Sequence, residues 1–124
     1  MKYLLDANIL IILLSGTSEP LRARVSQCAE GELGISAIAF AEVALGSWNG
    51  RPPSMTILDG VARVMPVLPF GHLAAKKYAE LPFRRASFDR LVAAHALALG
   101  LTLVTDNERD FAGVLNLAVE NWTK

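Results

Sequence analysis

Apolar residues come in short runs, and most runs end on a carboxylate, a helix cap or a glycine. Tyr3-Leu4-Leu5 runs into Asp6, and a second apolar run, residues 9–14, begins within three residues. The pattern predicts a strand with Asp6 at its carboxyl end, then a buried helix capped by Asn8 and closed at Ser15-Gly16, where glycine suits a left-handed cap. Ser18-Glu19-Pro20 reads as a helix start with proline in the first turn. Leu21, Val25 and Cys28 follow at i, i+4 and i+7, one face of an amphipathic helix that Gly31 ends. Cys28 on that stripe is expected to be a buried structural thiol.

Leu33-Gly34-Ile35 predicts a short strand, and Ser36 caps a helix over residues 37–48. That helix is apolar nearly all round, which predicts burial. Residues 49–54, with Gly50, Pro52 and Pro53, form a surface loop. A short helix over residues 55–61 leads into a strand over 64–68, which Pro66 confines to an edge. Phe70, Ala74, Tyr78 and Leu81 recur at helical spacing. Residues 82–86 are a loop carrying Arg84 and Arg85. Ser87 caps a further apolar helix over 88–99, closed by Gly100. Residues 101–104 give the clearest strand, ending at Thr105-Asp106, and a last strand falls near 117–119.

Strands alternating with helices predict βαβ units, hence an α/β domain with a mostly parallel sheet and helices on both faces. Ligands in such sheets bind beyond the carboxyl ends of the strands. Asp6 and Asp106 both fall at such ends, a hundred residues apart in the chain.

Composition narrows the picture. The chain has 124 residues, 52% of them hydrophobic and 19% charged, which suits one globular domain spanning residues 1–124 and excludes a disordered chain. Twelve basic and twelve acidic residues cancel, so any nucleic-acid role rests on a local patch. One cysteine excludes an internal disulfide and fits a reducing compartment. The most apolar segment is shorter than the ~20 residues of a membrane span, and it lacks a basic leader and a cleavage site. A cytoplasmic protein is expected.

The candidate chemistry lies in four carboxylates. Asp6 reads either as a helix cap or as a site residue. Glu42 lies among apolar helical neighbours, where an unpaired carboxylate is disfavoured, so it calls for a metal, a cation or a proton; the alternative readings are an arginine partner or an exposed helix edge. Asp89 opens an apolar helix whose other polar residues are Arg90 and His95. Its alternative reading is simple complementarity to the helix dipole. Asp106 precedes Asn107, which is also ordinary turn chemistry. His95 and His72 are read as structural, and Glu108 and Asp110 as solvated turn residues. With no Cys/His zinc spacing, oxygen donors suit Mg²⁺ or Mn²⁺. The matching chemistry is metal-assisted attack of water on a phosphodiester.

In order along the chain, Leu4-Leu5-Asp6-Ala7-Asn8-Ile9-Leu10, Ile35-Ser36-Ala37-Ile38 with Ala41-Glu42, and Phe88-Asp89-Arg90-Leu91-Val92-Ala93-Ala94-His95-Ala96 resemble the PIN-domain ribonucleases. Leu103-Val104-Thr105-Asp106-Asn107, Asp110-Phe111 and Val119-Glu120-Asn121-Trp122 continue the resemblance, which covers nearly the whole chain and is nearest to the VapC toxins of toxin–antitoxin modules. It implies a three-layer α/β/α domain with four to five mostly parallel strands. It also implies a Mg²⁺/Mn²⁺-dependent endoribonuclease, a homodimer, and a cognate VapB-like antitoxin. By the resemblance Asp6, Glu42 and Asp89 match acidic metal ligands, and Thr105 matches a supporting hydroxyl. Many relatives place an acid where Asn107 stands, so Asp106 or Asn107 completes the set. Asn8 is a further supporting residue. RNA calls for nearby basic groups, and Arg84, Arg85 and Arg90 are the candidates for contact with RNA or antitoxin. Transfer RNA is the leading substrate by similarity.

Three alternatives stay open. An aspartyl phosphatase would want an acid where Asn8 stands and a late lysine. A receiver-like domain would need paired acids after the first strand. A catalytically weak PIN-like domain that binds RNA or protein is the third.

Overall fold

The computed structural model describes residues 1–82 and 86–124. Five strands, β1 (Tyr3–Leu5), β2 (Leu33–Ser36), β3 (Val67–Leu68), β4 (Thr102–Val104) and β5 (Val119–Glu120), form one sheet in the order β3-β2-β1-β4-β5, every pair parallel. Six helices connect them: α1 (Ala7–Ser15), α2 (Glu19–Ser26), α3 (Ala37–Trp48), α4 (Met55–Val64), α5 (His72–Glu80) and α6 (Phe88–Leu99). A 3-10 turn over Glu108–Phe111 lies between β4 and β5. This is the three-layer α/β/α arrangement that alternating periods predict. Among the described residues, no helix is long and apolar enough to cross a membrane.

Strand alternation builds two cores. Leu4 and Leu103 point to one face, where they meet Val92, Ala93 and Ala96 of α6 and Phe111 of the 3-10 turn. Their neighbours Leu5 and Val104 point to the other, against Ile9 of α1, Leu21 of α2 and Trp122. On that side Ile35 joins Leu10, Val43, Leu58 and Val61, which ties α1, α3 and α4 together. Gly34 sits where β2 meets the Leu68 side chain: a Cβ there would lie 2.8 Å from Leu68 Cδ1.

Helix punctuation follows the sequence in most places. Ser18, Ser36, Ser54 and Ser87 each accept a backbone N–H at a helix start. Gly16 and Gly100 close α1 and α6 with φ of 70° and 67°.

Five expectations change. Asn8 does not cap α1; Asp6 does, its Oδ1 accepting from Ile9 N at 3.0 Å, and Asn8 lies exposed on the first turn. The second helix stops at Ser26, so Cys28 falls beyond it, half-buried, its thiol donating to the Arg24 carbonyl at 3.5 Å. Helix α3 is not buried all round: Leu45 and Trp48 are 63% and 82% exposed, because among the described residues no element covers its outer face. Helix α4 runs on to Val64, and Pro66 forces Met65 into extended backbone, so the edge strand shrinks to two residues. The last strand shifts to Val119–Glu120, since the chain turns at Asn116 (φ 68°) and Leu103 N bonds to Ala118 O first.

Candidate active site

Strand order reverses at the centre of the sheet: from β1 the chain goes outward to β2 and β3, then returns to β4 on the other side. The crevice beyond β1 and β4 is therefore the topological switch point, where open α/β sheets bind ligands. Asp6 follows β1 and Thr105-Asp106 follow β4. The two ends are laced together, since Asp6 N donates to Val104 O at 3.2 Å.

Asp6 is the best-buried acid of the group, 8% exposed. Its carboxyl is pushed up to about 6, first by burial and further by the negative charges of Asp106 and Asp89. The Thr105 hydroxyl and Ile9 N–H pull the other way by donating to it. Thr105 is itself fully buried, and its Oγ1 also accepts from Asn107 N at 3.1 Å. Asp106 is half-buried, and its Oδ1 is shielded from water without a hydrogen-bond partner among the described residues.

Two helices bring further acids. Glu42, on the second turn of α3, is half-buried and its carboxyl is raised by burial, then by Asp89 and Asp6. Asp89, on the first turn of α6, is raised by burial, by a hydrogen bond with Asp110 and by the charge of Asp110. The structure thus brings Glu42, Asp89 and Asp106 each within electrostatic reach of Asp6. Asp110 is exposed on the 3-10 turn, as its spacing suggests, and it also lies against Asp89. The 3-10 turn carries it to Asp89, and its Oδ2 accepts from the Asn107 side-chain amide. Asp106 and Asn107 therefore do different things: one faces Asp6, the other holds Asp110. The available signal for Asp110 was its place three residues after Asn107 and just before buried Phe111.

Asn8 makes no hydrogen bond through its side chain among the described residues. Arg90 is held beside the acids, its Nη2 donating to Pro82 O at 2.6 Å and its guanidinium 5.8 Å from the Tyr78 ring centre. Arg84 and Arg85 lie outside the described residues. Asp89, Arg90, Arg109 and Asp110 line a cleft of about 720 Å³ that opens next to the acids.

Beneath the site, His95 is fully buried and bridges three segments. Its Nε2 lies 3.0 Å from Pro69 O and its Nδ1 2.9 Å from Ser36 Oγ. A carbonyl only accepts, so Nε2 carries the proton and Ser36 donates to Nδ1. Burial lowers the His95 pKa, which keeps the ring neutral.

Among the described residues, no three acids or imidazoles converge into a ready-made metal cage. The donor set nevertheless fits a hard cation. Mg²⁺ keeps several waters and takes only one or two protein carboxylates. Asp6 and the unpartnered Oδ1 of Asp106 are two such oxygens at one strand-end crevice, with Asp89 and Glu42 facing it.

A profile of the PIN domain matches residues 3–114. The chain belongs to the PIN domain family. It is a VapC-type member: a curated protein of Haemophilus influenzae (strain R2866) named "Ribonuclease VapC1" is 31% identical in an alignment that covers all of both chains. The "tRNA(fMet)-specific endonuclease VapC" of Shigella flexneri is 27% identical, covering 99% of each chain. Among solved structures, VapBC2 from Rickettsia felis bound to a promoter DNA fragment superposes with a TM-score of 0.87 at 26% identity, covering 98% of this chain and 99% of that one. DNA-bound VapBC from Salmonella typhimurium gives 0.85 at 27% identity, with 98% of each covered.

Proposed function

We propose that the protein is a metal-dependent endoribonuclease, the toxin of a VapBC-type pair, acting as a single PIN unit. The observation that carries this reading is the uncompensated acidity at the switch point. Burial pushes the Asp6 carboxyl up to about 6, Asp106, Asp89 and Glu42 add negative charge around it, Asp110 acts on Asp89, and Asp106 Oδ1 has no partner among the described residues. Carboxylates left in mutual repulsion suit a divalent cation, Mg²⁺ or Mn²⁺. Such an ion, when bound, lowers the pKa of water and neutralises charge on phosphate oxygens. Asp6 and Asp106 would hold it, with Asp89 and Glu42 as further donors or as acceptors that orient water. Thr105 fixes the Asp6 carboxylate, and Asn107 fixes Asp110.

The names of the relatives support RNA as substrate, and the Shigella enzyme's name supports transfer RNA in particular. The VapBC complexes among the structural neighbours support a cognate VapB-like antitoxin as partner. We place its action in the cytoplasm, where that RNA resides, and expect a homodimer. The test is cleavage of RNA by purified protein, with Mg²⁺ or Mn²⁺ and with excess chelator, beside Asp6→Asn. Cleavage that persists in chelator, or in Asp6→Asn, overturns the mechanism. Metal-independent RNA binding without cleavage would instead point to a PIN-like binding domain. Sequencing RNA ends after induction identifies the RNA cut.

A further inference from the structure

The cleft beside the acids holds two arginines that the hydrolytic chemistry leaves unused. Asp89 and Arg90 reach it from the first turn of α6, and Arg109 and Asp110 from the 3-10 turn opposite. Two arginines and two carboxylates share one cavity, yet among the described residues neither arginine forms an ion pair. Arg90 is fixed by Pro82 O and the Tyr78 ring instead, and its Nε is shielded from solvent without a partner among the described residues. Arg109 is exposed and makes no side-chain hydrogen bond among the described residues.

Opposite charges that line one cavity without neutralising each other leave both signs open to external ions. The acids suit a cation. The guanidinium forks suit a phosphate, which they can grip through two parallel bonds. A phosphodiester strand with its counter-cation supplies both at adjacent places.

We infer that Arg109 and Arg90 form an anion subsite that grips a phosphate of single-stranded RNA, next to the phosphate at the acids. Arg90 is prepositioned and sets the register of the strand. Arg109 contributes charge from the other wall. Contacts of this kind position the strand and carry no base preference. The identity of the ligand rests on the ribonuclease reading, but occupancy of the subsite does not require cleavage.

The test is RNA binding in the Asp6→Asn protein, read by anisotropy of a labelled single-stranded oligoribonucleotide across salt concentrations. Arg109→Gln is expected to weaken binding about 5-fold and to reduce the slope of log K against log salt by about 0.7, one phosphate contact on a single strand. Arg90→Lys keeps the charge and loses the fork, so affinity falls while the slope holds. Arg63→Gln, exposed on α4 across the sheet, changes neither. Matched melting curves check that each variant folds. Unchanged affinity and slope in Arg109→Gln overturns the subsite. So does normal RNA binding combined with weakened binding of the cognate antitoxin, which would make the cleft a protein contact. Wild-type protein that shows the Arg109-dependent slope but cuts no RNA supports the subsite and overturns the ribonuclease reading.

Discussion

Arg24 and Asp6 are both ionisable groups beside β1, and their surroundings are opposite in kind. The Arg24 guanidinium donates to Tyr3 Oη at 3.2 Å, lies 3.8 Å from Glu120 Oε1, and sits 4.4 Å from the Trp122 ring centre. Trp122 in turn donates to Glu120 at 2.9 Å and packs edge-on to Tyr3, the ring centres 4.8 Å apart. Every charge there meets an opposite charge, a ring face or a hydroxyl. At Asp6 the charges that act on the carboxyl, Asp106 and Asp89, have its own sign, and with burial they push it up to about 6. A cluster that only ties α2 to the sheet satisfies itself. A cluster left unsatisfied, at the switch point of the same sheet, is shaped for something that comes from outside.

The contrast can be broken most directly at Asp6. Asp6→Asn should lower RNA cleavage by about 10³-fold or more, because one donor to the cation is lost. The same change should stabilise the metal-free protein at pH 7, seen as a higher melting temperature; a lower one would mean that Asp6 is chiefly structural. Trp122→Ala should do the reverse, costing about 3–5 kcal/mol of stability in denaturant titration because the residue is buried. Its folded fraction should keep its cleavage rate.

The pH dependence is the next effect in size. Asp6 is raised in the folded state from 3.8 to about 6, so between those values the folded protein binds more protons than the unfolded one. Stability of the metal-free protein therefore falls as pH rises through that window, by up to about 3 kcal/mol from this group. Glu42 and Asp89 are raised as well and push in the same direction. Urea titrations at pH 4, 5, 6 and 7 in chelator check this, and saturating Mg²⁺ should offset the fall. Smallest is Arg24→Ala, expected to lower the melting temperature by about 3 °C or less with cleavage intact. A large loss of activity there would mean that the two regions are not separate.

The elements were legible wherever a cap or a glycine marks an end. Ser36 and Ser87 announce the helices that carry Glu42 and Asp89, and Gly100 announces the turn into β4. Local pattern was weaker where two residues compete for one task. Asp6 and Asn8 can both cap a helix, and only the backbone path decides that Asp6 does. An apolar helix reads as buried, but Leu45 and Trp48 show that composition does not tell which face finds a neighbour. Asp110 was hidden for another reason. Its approach to Asp89 joins two segments about twenty residues apart through a 3-10 turn, and hydrophobic period carries no information on such a contact. The hydrogen bond of Asn107 to Asp110, and the repulsion of Asp6 by Asp106, needed the same geometry.

His95 bears on all of this from below. Glu42 rides on α3 and Asp89 on α6, and in the absence of a cation the two carboxylates push their helices apart. The neutral imidazole fastens α6 to the start of α3 through Ser36 and to the β3–α5 connection through Pro69. Because its proton is fixed on Nε2, the fastening has one orientation and does not flip. The gap between the acids is thus set by an uncharged spacer rather than by whatever ion enters, so the empty and filled pockets should differ little in width.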